Sequence, residues 1–189
     1  MNPRSEYILH WWNKATEENK KNGLHWYWKA HYLAQQMALS SGHQLHTAVG
    51  VIAALSPSCK WERNLFEAEE LLRNRPVQHT TYTPNALKAK AIVMGGHPGT
   101  VLGGQKVTAF YQLIMNPMDE HTVCIDRHAV RVCTRYKWES DVQASQWLRK
   151  GYESCANAYR NVAKKLNLLP WQVQAVTWEV FRDGRANNL

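Results

Sequence analysis

Cysteine is scarce: Cys59, Cys124, Cys133 and Cys155 are the only four in 189 residues, with no CxxC pair and no closely spaced set. That spacing argues against a zinc knuckle or an iron–sulfur cluster, and no metal or cofactor is expected. The chain also lacks any apolar run near the roughly 20 residues that cross a bilayer. Its polar, tryptophan-containing N-terminus shows no secretory pattern. An intracellular chain with reduced thiols and no membrane partner is the expectation. Internal repeats, low-complexity tracts and convincing hairpin signals are missing too, which points to an all-α fold.

What is present is positive charge and tryptophan. The formal net charge is +8, which suits a polyanionic partner because each neutralised phosphate releases a counterion. The same charge also fits a basic protein that is merely soluble. Apolar residues make up 44% of the chain, enough for a real core at this length. Nine tryptophans can fill that core or stack on bases, and their number alone does not separate the two.

Apolar spacing predicts helices along most of the chain. Two are expected between Ser5 and Ser41, separated at Asn22-Gly23, with faces marked by Tyr7, Ile8, Trp11 and Trp12 and by Trp28, Tyr32, Gln35, Gln36 and Leu39. The small and apolar run from His46 to Leu55 reads as a buried helix stopped at Ser56-Pro57. Another helix runs from Lys60 to about Arg73 with Leu65, Ala68 and Leu72 inward, followed by a loop over Thr80 to Pro84. A short helix from Asn85 to Met94 turns Leu87, Ala91 and Ile92 inward, and Gly95 to Gly99 reads as a connector. Val107 to Met115 is helical, Asn116 to Glu120 is a loop, and three helices close the chain: Val142–Trp147, Tyr152–Leu166 and Pro170–Arg182.

Chemistry concentrates in two stretches, Leu102-Gly103-Gly104-Gln105-Lys106 and Thr122-Val123-Cys124-Ile125-Asp126-Arg127-His128-Ala129-Val130-Arg131-Val132-Cys133-Thr134-Arg135. A Gly-Gly turn opening a helix leaves first-turn N–H groups directed outward, and without Cβ atoms the backbone can approach a phosphate closely. Lys106 supplies an amine just beyond that turn; most such lysines are solvated surface. Asp126 emerges from an apolar stretch and precedes Arg127, His128 and Arg131, with Arg135 a further turn on. It reads as the N-cap of a helix starting at Arg127, a role compatible with catalysis because capping holds the carboxylate rigidly. His128 reads more simply as a satisfied helix histidine than as a functional one.

The order of these motifs resembles the helix-hairpin-helix DNA glycosylases of the endonuclease III superfamily. A glycine-rich hairpin and a lysine precede a helix, and then comes Ile125-Asp126-Arg127-His128 followed by Arg131-Val132. Lys106 and Asp126 are 20 positions apart, close to the family's interval. Ala48 to Ser56 and Lys60 to Leu72 resemble the family's small-residue helix, its Leu-Ser turn and the helix that follows. The likeness covers Leu45 to Trp138, half the chain. The hairpin departs from the usual Leu-Pro-Gly-x-Gly, and the C-terminal cysteine cluster of many members is absent. Leu55-Ser56-Pro57 and Gln174-Ala175-Val176-Thr177-Trp178 are similar to segments of short phage-encoded relatives.

The resemblance implies a two-lobed helical fold over residues 1–189 with the active-site cleft between the lobes. Residues 44–126 would form the central lobe with the hairpin, and 1–43 plus 127–189 the terminal lobe. It implies a DNA glycosylase, with or without strand-cleaving lyase activity, that removes a damaged or modified base. The partner would be double-stranded DNA with one base extruded, the protein a monomer, and the setting a bacterial or phage-infected cytoplasm. Asp126 and Lys106 would be catalytic. Gly103, Gly104, Gln105, Ser58, Lys60, Trp61, Arg127 and Arg131 would contact DNA, with Trp61 either a wedge in the duplex or packed beneath its loop. Two alternatives remain open at this stage: a phage enzyme that hypermodifies a DNA base on the same scaffold, and a non-catalytic DNA-binding module in which Asp126 only caps.

Overall fold

The computed structural model describes residues 2–76, 78, 81–134 and 140–186. Thr80 of the expected loop, and Arg135 and Trp138 at the end of the family-like stretch, lie outside the described residues. All regular structure among the described residues is helical, as expected. The chain divides into two compact units: Tyr27–Pro117, and Met1–Trp26 joined with Met118–Leu189. These boundaries differ from the expected 43/44 and 126/127, because residues 27–43 and 118–126 each belong to the other unit.

The central unit is organised by its most apolar helix. In chain order the helices begin with α1 (Ser5–Trp12), α2 (Glu17–Leu24), α3 (Trp26–Ser41) and α4 (Leu45–Leu55). Every residue of α4 from Ala48 to Leu55 is buried, the signature of a helix covered on all sides. Around it pack α5 (Trp61–Leu72), α6 (Thr83–Val93), α7 (Pro98–Val101) and α8 (Gln105–Met115). Gly50 allows α7 to approach closely, since a Cβ there would stand 2.6 Å from Pro98 Cγ. Ser56-Pro57 ends α4 as expected, with Ser56 Oγ donating to the Ala53 carbonyl at 2.9 Å. Buried Asn64 then ties α5 to α4 by donating from Nδ2 to the Ile52 carbonyl at 3.0 Å.

Three expected faces turn out differently. In α3 the expected face turns to water: Tyr32 is 60% and Leu39 77% exposed, and Trp28 is exposed as well. The buried stripe is Tyr27, Ala30, Ala34 and Ala38, at helical spacing. In α6, Ile92 is inward as expected, but Ala89 rather than Ala91 accompanies it and Leu87 is 60% exposed. In α5, Ala68 and Leu72 are buried as expected, Leu65 is half-buried, and Asn64, Glu67 and Leu71 are also inside. Glu67 is accommodated there by an ion pair with Arg63 Nε at 2.8 Å. The connector is shorter than expected because Pro98 already opens α7.

The terminal unit holds α1, α2, α9 (Arg127–Thr134), α10 (Asp141–Leu166) and α11 (Pro170–Ala186). The break expected at Asn22-Gly23 falls two residues later, at His25 between α2 and α3, and a second break precedes α2. The new helix starts at Thr16, whose hydroxyl accepts from the Asn19 N–H while Asn19 Oδ1 accepts from the Thr16 N–H. Gly23 sits inside α2, where a Cβ would stand 2.5 Å from the Cα and N of Val176 on α11. The three expected closing helices are two, because α10 runs unbroken through Gly151 with the Trp147 ring filling the space beside that glycine. Asn167 ends α10 in the left-handed conformation (φ 54°) and Pro170 opens α11. Val130, Val132, Cys133, Cys155, Tyr159 and Val173 form the heart of this core.

Candidate functional site

Asp126 sits at the end of an extended segment that α10 holds in place. Tyr152 Oη donates to the Val123 carbonyl at 2.8 Å and accepts from the Ile125 N–H at 3.2 Å. Burial pushes the Tyr152 phenol above its ordinary value, with Cys124 adding to the rise. Farther upstream, Arg160 Nε donates to the His121 carbonyl at 2.7 Å, and Asp119 Oδ1 accepts from the His121 and Thr122 N–H groups. These bonds fix the backbone that delivers Asp126 to the start of α9.

The carboxylate itself is engaged on both oxygens. Oδ1 accepts from the N–H groups of His128 (2.9 Å) and Ala129 (2.8 Å), and the main-chain carbonyl accepts from Val130 at 3.0 Å. Asp126 is therefore the N-cap of α9, as its sequence context suggests. Oδ2 accepts from Trp178 Nε1 at 3.2 Å. His128 stands edge-on to Trp178 and tilted against Phe181, so a half-buried carboxylate is bordered by aromatic rings from α9 and α11. Arg127 and Arg131 follow on α9, both half-buried.

Lys106 belongs to the central unit. Gly104 precedes α8 with φ +83°, a backbone conformation that favours glycine, and its carbonyl accepts from Thr108 at 3.1 Å. Gln105 and Lys106 are the first two residues of α8, exposed and half-buried in turn. Beside the turn, Lys88 Nζ lies 3.7 Å from where a Cβ on Gly103 would stand, placing a second lysine at the glycines. Ser58 is exposed with φ +61°, a conformation rare for a residue with a side chain. Lys60 is the exposed N-cap of α5. Trp61 is half-buried with its ring edge-on to Phe110, centroids 6.4 Å apart.

Asp126, Arg127 and Arg131 are thus together in the terminal unit, and Ser58, Lys60, Trp61, Gly103, Gly104, Gln105 and Lys106 share the central one. Sequence reasoning missed Trp178, Phe181, Tyr152 and Lys88. Only the five-residue likeness ending at Trp178 pointed near any of them. Among the described residues, no group of three or more His, Cys, Asp or Glu is placed to hold a metal ion, and no helix is long and apolar enough to cross a membrane.

These features define an all-helical protein with a capped, aromatic-bordered carboxylate in one unit and a glycine-opened helix carrying a lysine in the other. The chain belongs to a family of unknown function (DUF7178), which it matches over residues 2–185. No curated protein and no solved structure matches it.

Proposed function

We propose that this protein is a DNA glycosylase of the helix-hairpin-helix kind, with Asp126 as its central carboxylate. The observation that carries the reading is the triple anchoring of Asp126, by two helix N–H groups and the Trp178 indole, beside half-buried rings. Such a carboxylate is preorganised, so it needs no rearrangement when positive charge appears in front of it. In glycosidic cleavage the bonding pair leaves with the base and positive charge grows on the deoxyribose. Asp126 stabilises that charge and orients the attacking nucleophile.

Lys106 is the second half of the proposal. As a neutral amine it attacks the anomeric carbon, loses a proton and forms an imine with the opened sugar, from which the 3′ phosphate is eliminated. Gly103, Gly104 and Gln105 hold backbone phosphate at the start of α8, with Lys88 beside them. Arg127 and Arg131 also face the partner's phosphates on this reading, and Ser58, Lys60 and Trp61 line the loop that meets the gap left by an extruded base. The +8 charge supports the DNA partner.

The test uses duplexes that each carry one damaged or modified base, incubated with the protein and trapped with borohydride. Base release is expected from at least one duplex, with a covalent adduct on Lys106. Asp126→Asn abolishes release while the fold persists, because asparagine caps helices about as well as aspartate. Lys106→Gln removes the adduct and leaves base release. Binding without release across a broad lesion panel, or release that survives Asp126→Asn, overturns the proposal.

A further inference from the structure

A continuous run of side chains crosses α1, α9 and α11 without belonging to the sealed core. Lys14 Nζ lies over the Trp11 ring, 5.3 Å from its centroid. Trp11 meets Phe181 edge-to-face at 5.3 Å, Phe181 meets His128 at 5.7 Å, and His128 meets Trp178 at 6.4 Å. The guanidinium of Arg182 closes the run 4.8 Å from the Trp178 ring, oriented by Glu179 at 2.7 Å. The order is cation, four rings, cation, and the Trp178 end is hydrogen-bonded to Asp126.

Trp171 and Tyr159 are 0% exposed, whereas Trp11 and Phe181 pack against the core from its edge. The four rings of the run are each half-buried instead, and both cations are exposed. Partly open rings flanked at both ends by solvent-facing cations match the chemistry of unpaired nucleotides, whose bases stack on aromatic faces while their phosphates seek positive charge. Bases inside a duplex have no free face to offer, so the run selects unstacked ones. A purely apolar ligand would gain nothing from Lys14 and Arg182.

We propose that this run is a stacking path for single-stranded DNA that ends at Asp126. The inference rests on the DNA partner of the proposed function, but on no bond cleavage. The probe is a lesion-free oligothymidylate of about twelve nucleotides, within the roughly 4–16 nucleotides that single-strand grooves hold. Its binding is followed by tryptophan fluorescence quenching across a salt series. A blunt duplex of equal length and heparin, a polyanion without bases, serve as comparisons.

Quenching by the single strand, exceeding that by heparin or the duplex, is expected. Phe181→Leu keeps an apolar side chain on the core and weakens binding by about five- to a hundredfold, the usual loss for one stacking ring. The Lys14→Gln/Arg182→Gln double variant alters only exposed groups and flattens the salt dependence by about 1.4 in log–log slope, two phosphates' worth for a single strand. Binding without quenching, or affinity unchanged in both variants, overturns the path. Failure here with Asp126-dependent base release intact removes the path alone. Failure of base release with path-dependent binding intact removes the glycosylase alone.

Discussion

Replacing Gly23 by alanine tests the packing of the terminal unit most sharply. The new Cβ would stand 2.5 Å from the Cα and the N of Val176, backbone atoms in the middle of α11 that cannot swing aside. Carbon atoms rest at about 3.5–4.0 Å, so one helix must retreat by roughly 1 Å. Overpacking of this kind costs about 1–3 kcal/mol. Alanine returns about 0.5–1 kcal/mol of helix propensity inside α2. At mid-range a net loss of about 1 kcal/mol remains, which for a chain of this size lowers Tm by about 2–4 °C.

The assay is thermal and urea unfolding followed by circular dichroism, with Lys21→Ala as the comparison. Lys21 lies on the same helix but is exposed, so its replacement reports propensity alone and stays within about 0.5 kcal/mol. Val176 is two positions before Trp178, so the displaced helix also loosens the indole bond to Asp126 and speeds exchange of that indole proton. A Gly23→Ala protein that melts at or above the parent temperature would refute the close approach of α2 and α11.

Other perturbations separate holding Asp126 in place from using it. Tyr152→Phe leaves the Val123 carbonyl and the Ile125 N–H without their phenol and lowers the urea-derived stability by about 1–3 kcal/mol. Asp126→Ala costs about 0.5–2 kcal/mol as a lost cap, whereas Asp126→Asn is near neutral; equal losses for both would contradict the capping geometry. Gly104→Ala forces a side chain into φ +83° and costs about 1–2 kcal/mol, seen as a lower urea midpoint. Burial raises the Cys133 thiol and the Tyr152 and Tyr159 phenols above their ordinary values. Unfolded, these groups release protons near pH 8.5 and 10 that the folded protein retains. Stability is therefore intact below about pH 8.5 and declines as pH rises further. Cys133→Ala makes that decline shallower over pH 8–11, and a urea midpoint that stays flat over this range in the parent protein argues against the buried thiol.

Local pattern carried a good part of this architecture. An uninterrupted small and apolar run marked α4, the Ser56-Pro57 stop was in plain view, and Asp126 ahead of Arg127 announced the cap of α9. Size misled in α3, where Tyr27 and three alanines are buried while Trp28, Tyr32 and Leu39 are exposed. Glycine misled at Gly23, which lies inside α2 because the backbone of Val176 comes close rather than because the chain turns there. The partners of Asp126 were out of reach for a related cause. Trp178 follows it by 52 positions, and nothing near either residue signals the pairing.

The terminal unit is assembled from two stretches that the ribosome makes far apart in time. Asn19 donates to Asp183 at 2.8 Å across 164 positions, and Gly23 fits against a helix near the other end of the chain. During synthesis the Tyr27–Pro117 block has all its partners before α10 and α11 exist, and can consolidate first. Until α11 emerges, α2 lacks the helix it packs against, and α1 can meet only α9 and α10. Asp126 gains its indole partner only once α11 has been made.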